Sequence, residues 1–227
     1  MQVIAHRGAS GYAPENTRAA FERAITMGSD AIETDVQLTA DGHLALFHDN
    51  TVDRTSNGHG PVVDHTLDEL RALDLGAWFG GGFAGERVVT VAEMTDEFLP
   101  RIPVVFEIKD PRAAAPLVTY LAERGVLDRV QVTSFFWGAL LDAQRAVPDA
   151  DYGFLAPMFT EDLIARSVRR GFRHLCPHVN TLTARGVAAA HAAGLRVRGW
   201  GIAHRYEMDR LRETGADGAT VNWPDWI

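Results

Sequence analysis

Short runs of apolar and β-branched residues recur along the chain, and each is followed by a longer stretch with apolar residues at helical spacing. The runs are Val3–His6, Ala31–Val36, Val104–Ile108, Val130–Ser134, Asp151–Leu155, Arg173–Pro177, Arg196–Trp200 and Gly218–Val221. Bounded by Gly, Pro, Asn and Asp, they read as buried strands of a parallel sheet. The intervening periodicity predicts helices over Thr17–Met27, Val91–Leu99, Ala113–Arg124, Trp137–Ala146, Thr160–Arg170, Thr183–Ala193 and Arg205–Thr214. Thr66-Leu-Asp-Glu69 and Thr90-Val-Ala-Glu93 have the spacing of a capping box. There a threonine side chain and a glutamate carboxylate satisfy free N–H groups at a helix start.

Eight strands alternating with helices in 227 residues predict an α/β fold, a (β/α)₈ barrel, as one domain over residues 1–227. A doubly wound open sheet shares the alternation and is the alternative. The regularity breaks between Val36 and Val104, where far more chain intervenes than one crossover uses. Asp41-Gly42 followed by Leu44–His48 predicts a hairpin return. Residues from Asn50 to Val88, with a helix predicted over Leu67–Leu73 and a Gly- and aromatic-rich stretch around Trp78 and Phe79, read as an insertion at the active-site face.

Composition narrows the functional classes. The chain is 46% hydrophobic, yet its apolar runs are far too short to span a bilayer, and Met1–Ser10 shows no apolar signal segment. A cytoplasmic protein without membrane insertion is expected. The one cysteine, Cys176, excludes an internal disulfide and a cysteine-built zinc site, and it reads as packing. A net charge of −8 argues against broad nucleic-acid binding, which needs a basic face. Lys109 is the single lysine among 22 basic residues, a position where Arg does not serve or an accident of composition.

In a (β/α)₈ barrel the strand C-termini open into the site. The first strand ends His6-Arg7-Gly8, the second carries Glu33-Thr34-Asp35, and the third ends Glu107-Ile108-Lys109. Residues two apart on a strand share a face, so Glu33 stands beside Asp35 and Glu107 beside Lys109. Three carboxylates in a barrel interior repel one another and are costly to bury unpaired. A hard divalent cation, Mg²⁺ or Ca²⁺, answers both problems with three oxygen ligands. The plainer reading of such carboxylates is a salt-bridge network with Arg7, Arg198 and Lys109; the coincidence of two strand-end pairs with His-Arg-Gly favours the metal. His48 ends a run close to Glu33 and Asp35, and with His6 it makes a candidate acid–base pair. The remaining histidines considered, His59, His65, His174, His178, His191 and His204, lack such company.

These motifs, in this order, resemble the glycerophosphodiester phosphodiesterase family: His6-Arg7-Gly8, Pro14-Glu15-Asn16-Thr17, Glu33-x-Asp35, His48-Asp49 and Glu107-x-Lys109. The resemblance extends through Arg54-Thr55, Gly58-x-Gly60, Trp78-Phe79, Ser134-Phe135, Trp200 and Gly215-Ala216-Asp217-Gly218, so it covers nearly the whole chain. It implies a TIM barrel that hydrolyses glycerophosphodiesters to glycerol 3-phosphate and an alcohol with a divalent metal. By that resemblance Glu33, Asp35 and Glu107 bind the metal, and His6 and His48 serve as general acid and base. Arg7 and Lys109 hold the phosphate, while Trp200 and Phe135 contact the substrate. The nucleophile is either a substrate hydroxyl, giving a cyclic phosphate, or water.

The chain departs from the family pattern late, with Gly201-Ile202-Ala203 after Trp200 and Asn222-Trp223 before Pro224. These changes are expected to bear on the substrate headgroup and to leave the metal and acid–base residues intact. Two other readings are a phospholipase D-like lipid phosphodiesterase, which shares the front-end residues, and a non-catalytic barrel, which predicts damage among them. The insertion and the lack of a basic amphipathic helix disfavour the first, and the complete ionisable set disfavours the second.

Overall fold

A computed structural model of the chain describes residues 1–226. Eight parallel strands close into a barrel: β1 (Gln2–His6), β2 (Ala31–Leu38), β4 (Val104–Ile108), β5 (Val130–Ser134), β6 (Tyr152–Ala156), β7 (His174–Pro177), β8 (Arg196–Ile202) and β9 (Gly218–Val221). Closure comes from β1, which pairs with β2 on one side and β9 on the other. Every predicted strand run lies on a barrel strand, and the open-sheet alternative falls. The hairpin is present as β3 (Leu44–Leu46), antiparallel to β2 with Val36 opposite Leu46.

Seven helices follow barrel strands: α1 (Arg18–Thr26), α3 (Val91–Glu93), α4 (Ala114–Glu123), α5 (Trp137–Ala146), α6 (Glu161–Arg169), α7 (Ala184–Ala192) and α8 (Arg205–Thr214). Both capping boxes form, at α3 and at α2 (Leu67–Ala72) in the insertion. One expectation needs correcting. The helix predicted over Val91–Leu99 is α-helical only at its start and continues as a π-helical turn, Met94–Phe98. Apolar periodicity alone does not distinguish these windings.

The main core lies between barrel and helices. Ile32, Val36, Phe106 and Ile108 point outward onto a layer that includes Phe98 and Leu117, and Phe21 meets Phe98 edge-on at 5.3 Å. Inside the barrel the apolar filling is slight: Ile4, Ala31 and Val105 form a separate small cluster. By the alternation along each strand, the same faces carry His6, Glu33 and Glu107 one step further toward the C-terminal mouth. The interior thus passes from apolar to charged along its axis. The insertion packs around its own cluster, with Val52, Val62, Leu67, Leu70, Leu75 and Val88 resting on Ala45 and Phe47.

Candidate active site

Parallel pairing at the barrel mouth sets the carboxylates. His6 is in register with Glu33, and Asp35 with Glu107. Glu33, Asp35 and Glu107 are all buried, and one oxygen from each lies within 4.8 Å of the others. Glu33 Oε1 and Asp35 Oδ1 have no hydrogen-bond partner among the described residues. Burial, with Asp35 and Glu107 nearby, pushes the Glu33 carboxyl well above the usual carboxylate range. Burial and Asp35 likewise push Glu107 up to about 7. Burial also acts upward on Asp35, but Arg7, His48, Lys109 and His6 together outweigh it and hold that carboxyl low. Like charges this close, with acceptor oxygens left over, fit a hard divalent cation. The salt-bridge alternative is realised only in part. Lys109 Nζ lies 3.0 Å from Glu107 and 4.0 Å from Asp35, and Arg7 Nε lies 3.3 Å from Asp35. Arg198 pairs with none of these carboxylates.

The turn after β1 aims Arg7. Its φ of 56° is left-handed, a strained conformation for a side chain with a Cβ, and its N–H donates to Glu33 Oε2 at 3.1 Å. Gly8 follows at φ 80°, where any Cβ would meet Ala20 of α1 at 2.7 Å. The guanidinium of Arg7 reaches Glu15 at 2.9 Å. Asn16, also left-handed at φ 57°, donates from Nδ2 to Asp35 and accepts from Thr34.

The two histidines are anchored differently. His6 Nδ1 donates to Asn222 Oδ1 at 2.6 Å, whereas His48 Nδ1 donates to Asp49 Oδ1 at 2.6 Å. Burial and then Arg7 pull the His6 imidazole down to about 4. Arg54, from the insertion, donates to both Asp49 and Glu15. Its hydrogen bond is the largest cause holding the Asp49 carboxyl low. One guanidinium therefore braces the carboxylate behind His48 and the carboxylate behind Arg7.

His6, Arg7, Glu33, His48, Glu107 and Lys109 line one side of a cavity of about 340 Å³. Phe135, Leu155, Trp200, Ile202 and Trp223 supply its apolar side. Trp200 Nε1 donates to the Cys176 carbonyl, and its ring meets Phe135 edge-on at 5.0 Å. The structure brings the nine residues singled out from sequence together at one barrel end, with Asp35 just behind the lining.

The profile of the glycerophosphoryl diester phosphodiesterase family matches residues 6–226. The chain belongs to this family. It is 37% identical over 235 residues to a glycerophosphodiester phosphodiesterase of Caldanaerobacter subterraneus subsp. tengcongensis, covering 99% of this chain and 95% of the relative. Among solved structures, an Oleispira antarctica phosphodiesterase in complex with the product sn-glycerol-3-phosphate superposes with a TM-score of 0.90 at 28% identity, covering 99% of this chain and 94% of that one. A glycerophosphodiester phosphodiesterase of Agrobacterium tumefaciens gives 0.85 at 26%, covering 100% and 98%.

The residues expected to bear on the headgroup reach the acid–base pair as well. Asn222 is not confined to the headgroup region, because its amide oxygen holds His6. Glu15, Asn16, Asp49 and Arg54 also support site residues, and no role follows for them from composition or spacing. Their only signal in the sequence is membership of motifs shared with glycerophosphodiester phosphodiesterases.

Proposed function

We propose that this phosphodiesterase hydrolyses glycerophosphodiesters to glycerol 3-phosphate and an alcohol, with His6 and His48 as the acid–base pair and a divalent cation held by Glu33, Asp35 and Glu107. The observation that carries this reading is the placement of three buried carboxylates, two of them with unpartnered oxygens, between two anchored imidazoles and two cationic side chains in one cavity. Mg²⁺ or Ca²⁺ suits an all-oxygen set, and when bound it supplies neutralisation of phosphoryl charge.

The chain's own groups divide the remaining work. Arg7 and Lys109 offer donors to the non-bridging oxygens, where negative charge grows as an oxygen nucleophile approaches phosphorus. His6 donates from Nδ1 to an amide oxygen, so Nε2 is the ring position left to accept a proton. Burial and then Arg7 favour its neutral form, in which Nε2 carries the free lone pair. His48 has a carboxylate at Nδ1, the partner that supports the positive charge of an imidazolium acid, and its Nε2 serves to protonate the leaving alkoxide. Trp200 and Phe135 provide the apolar wall for substrate carbons. Among the described residues no helix is long and apolar enough to cross a membrane.

The test is release of glycerol phosphate from glycerophosphocholine and glycerophosphoethanolamine with Mg²⁺ or Ca²⁺ and with chelator. Turnover that chelation abolishes is expected. Failure to cleave either substrate with metal present would refute the proposal.

A further inference from the structure

The cavity contains a charge that this chemistry does not use. Arg198 is only 4% exposed and shares the inward face of β8 with Trp200, two residues on. It lines the same cavity as His6, Glu33 and Lys109. Its Nη2 lies 3.6 Å from Cys176 Sγ, a weak acceptor, while Nε and Nη1 have no hydrogen-bond partner among the described residues. A second orphan is close by in the fold. Thr133, the register partner of Glu107 on β5, is fully buried, lines the cavity, and leaves Oγ1 without a partner. Gly153 on β6 adjoins Thr133, with His174 Cβ on its other side at 3.0 Å from where a Cβ would stand. A Cβ there would crowd Thr133 Cγ2 at 3.2 Å and stand 3.6 Å from Cys176 Sγ.

A guanidinium stays protonated in a protein, and burying one without a carboxylate or full hydrogen bonding opposes folding. Groups that oppose folding and face a binding cavity are characteristic of ligand recognition. We infer that Arg198 and Thr133 form a polyol subsite that selects the glycerol end of the substrate. The inference rests on the glycerophosphodiester reading above. Arg198 offers donors only, so its ligand atoms are oxygen acceptors, and Thr133 both donates and accepts. Free glycerol hydroxyls match that pair, because each accepts from the guanidinium and can donate to Oγ1. The phosphoryl oxygens are already matched by Arg7 and Lys109. A buried, water-poor position makes this polar match selective, since an analogue lacking the hydroxyls leaves the donors unpaired.

The test compares two ligands that share a phosphate and differ in the glycerol: sn-glycerol 3-phosphate and methyl phosphate, titrated calorimetrically into Mg²⁺- or Ca²⁺-loaded protein. Arg198→Met should weaken glycerol 3-phosphate binding by roughly 10- to 100-fold, the loss of a hydrogen bond to a charged group, and leave methyl phosphate within about two-fold. Thr133→Val should weaken glycerol 3-phosphate by roughly 3- to 10-fold with the same selectivity. The free Arg198→Met protein should melt at or above the wild-type temperature, because an unpaired buried charge is removed. Equal losses for both ligands would assign Arg198 to the phosphate and overturn the subsite. No loss for either would assign it to the smaller cavity of about 230 Å³ at the other barrel end, which it also borders, and would equally overturn it. If Arg198→Met melts far below wild type, Thr133→Val decides: a loss confined to glycerol 3-phosphate supports the subsite, and no selective loss overturns it. Selective binding without any glycerophosphodiester turnover would instead overturn the proposed reaction and leave the subsite standing.

Discussion

Glu107→Gln should stabilise the metal-free protein, and by an amount that grows with pH. Glu107 is buried among carboxylates, and its pKa rises from 4.5 to about 7 on folding. A group whose folded pKa is raised contributes stability that is full below pH 4.5 and lost as the pH climbs through about 7. The shift corresponds to about 3 kcal/mol, because each pKa unit is worth about 1.4 kcal/mol. For a chain of this length that amounts to roughly 6–12 °C in melting temperature. Glutamine has no such penalty, so the mutant should match the wild type near pH 4.5 and exceed it by several degrees at pH 7.5. Wild-type stability alone would hide the effect. His6, lowered from 6.5 to about 4, contributes stability that is present above pH 6.5 and lost on acidification through pH 4, the opposite sense in the same range. The difference between mutant and wild type cancels His6. Differential scanning calorimetry in chelator across pH 4.5–8 measures that difference, and added Mg²⁺ or Ca²⁺ should reverse the order by stabilising only the wild type strongly. If metal-free Glu107→Gln is no more stable than wild type at pH 7.5, the account of strained, metal-ready carboxylates is wrong.

Other consequences follow from the same geometry. Glu33→Gln and Asp35→Asn should weaken Mg²⁺ or Ca²⁺ binding in calorimetry while far-UV dichroism stays native. His6→Ala and His48→Ala should each lower kcat by roughly 10²-fold or more, and near-normal turnover in either would make that imidazole structural. Lys109→Arg should be folded but nearly inactive. The ammonium sits 3.0 Å from Glu107 and 4.0 Å from Asp35, and a planar guanidinium there displaces carboxylate or phosphate; a misplacement of about 1 Å can cost on the order of 10²-fold. Arg54→Met should lower kcat roughly 10-fold while costing no more than about 1 kcal/mol in stability, since Arg54 is half exposed but braces Asp49 and Glu15. A kcat indistinguishable from wild type would count against that brace.

The strands, most helices and the capping boxes were legible in the sequence because each depends on neighbours a few residues away. Alternation along an extended strand is covalent geometry, so Glu33 beside Asp35 and Glu107 beside Lys109 followed directly once the strands were placed. Helix starts at Thr66 and Thr90 followed from side chains that bond their own backbone. Even the hairpin at Leu44–Leu46 is a local event.

What only the tertiary structure decided is which groups meet from distant parts of the chain. Asn222 reaches His6 across 216 residues because β1 and β9 must pair to close the barrel, and no periodicity in either strand encodes that partner. Arg54 arrives between Glu15 and Asp49 because the insertion folds on its own small core and presents one guanidinium to two loops. Arg198 looked like a counter-charge for the carboxylates, yet strand stagger places it beside Cys176 with donors unpaired. Spacing determines the face on which a side chain stands, whereas its partner depends on barrel closure and on where loops return. Those are properties of the whole chain, and they turn a row of acidic and basic residues into a site.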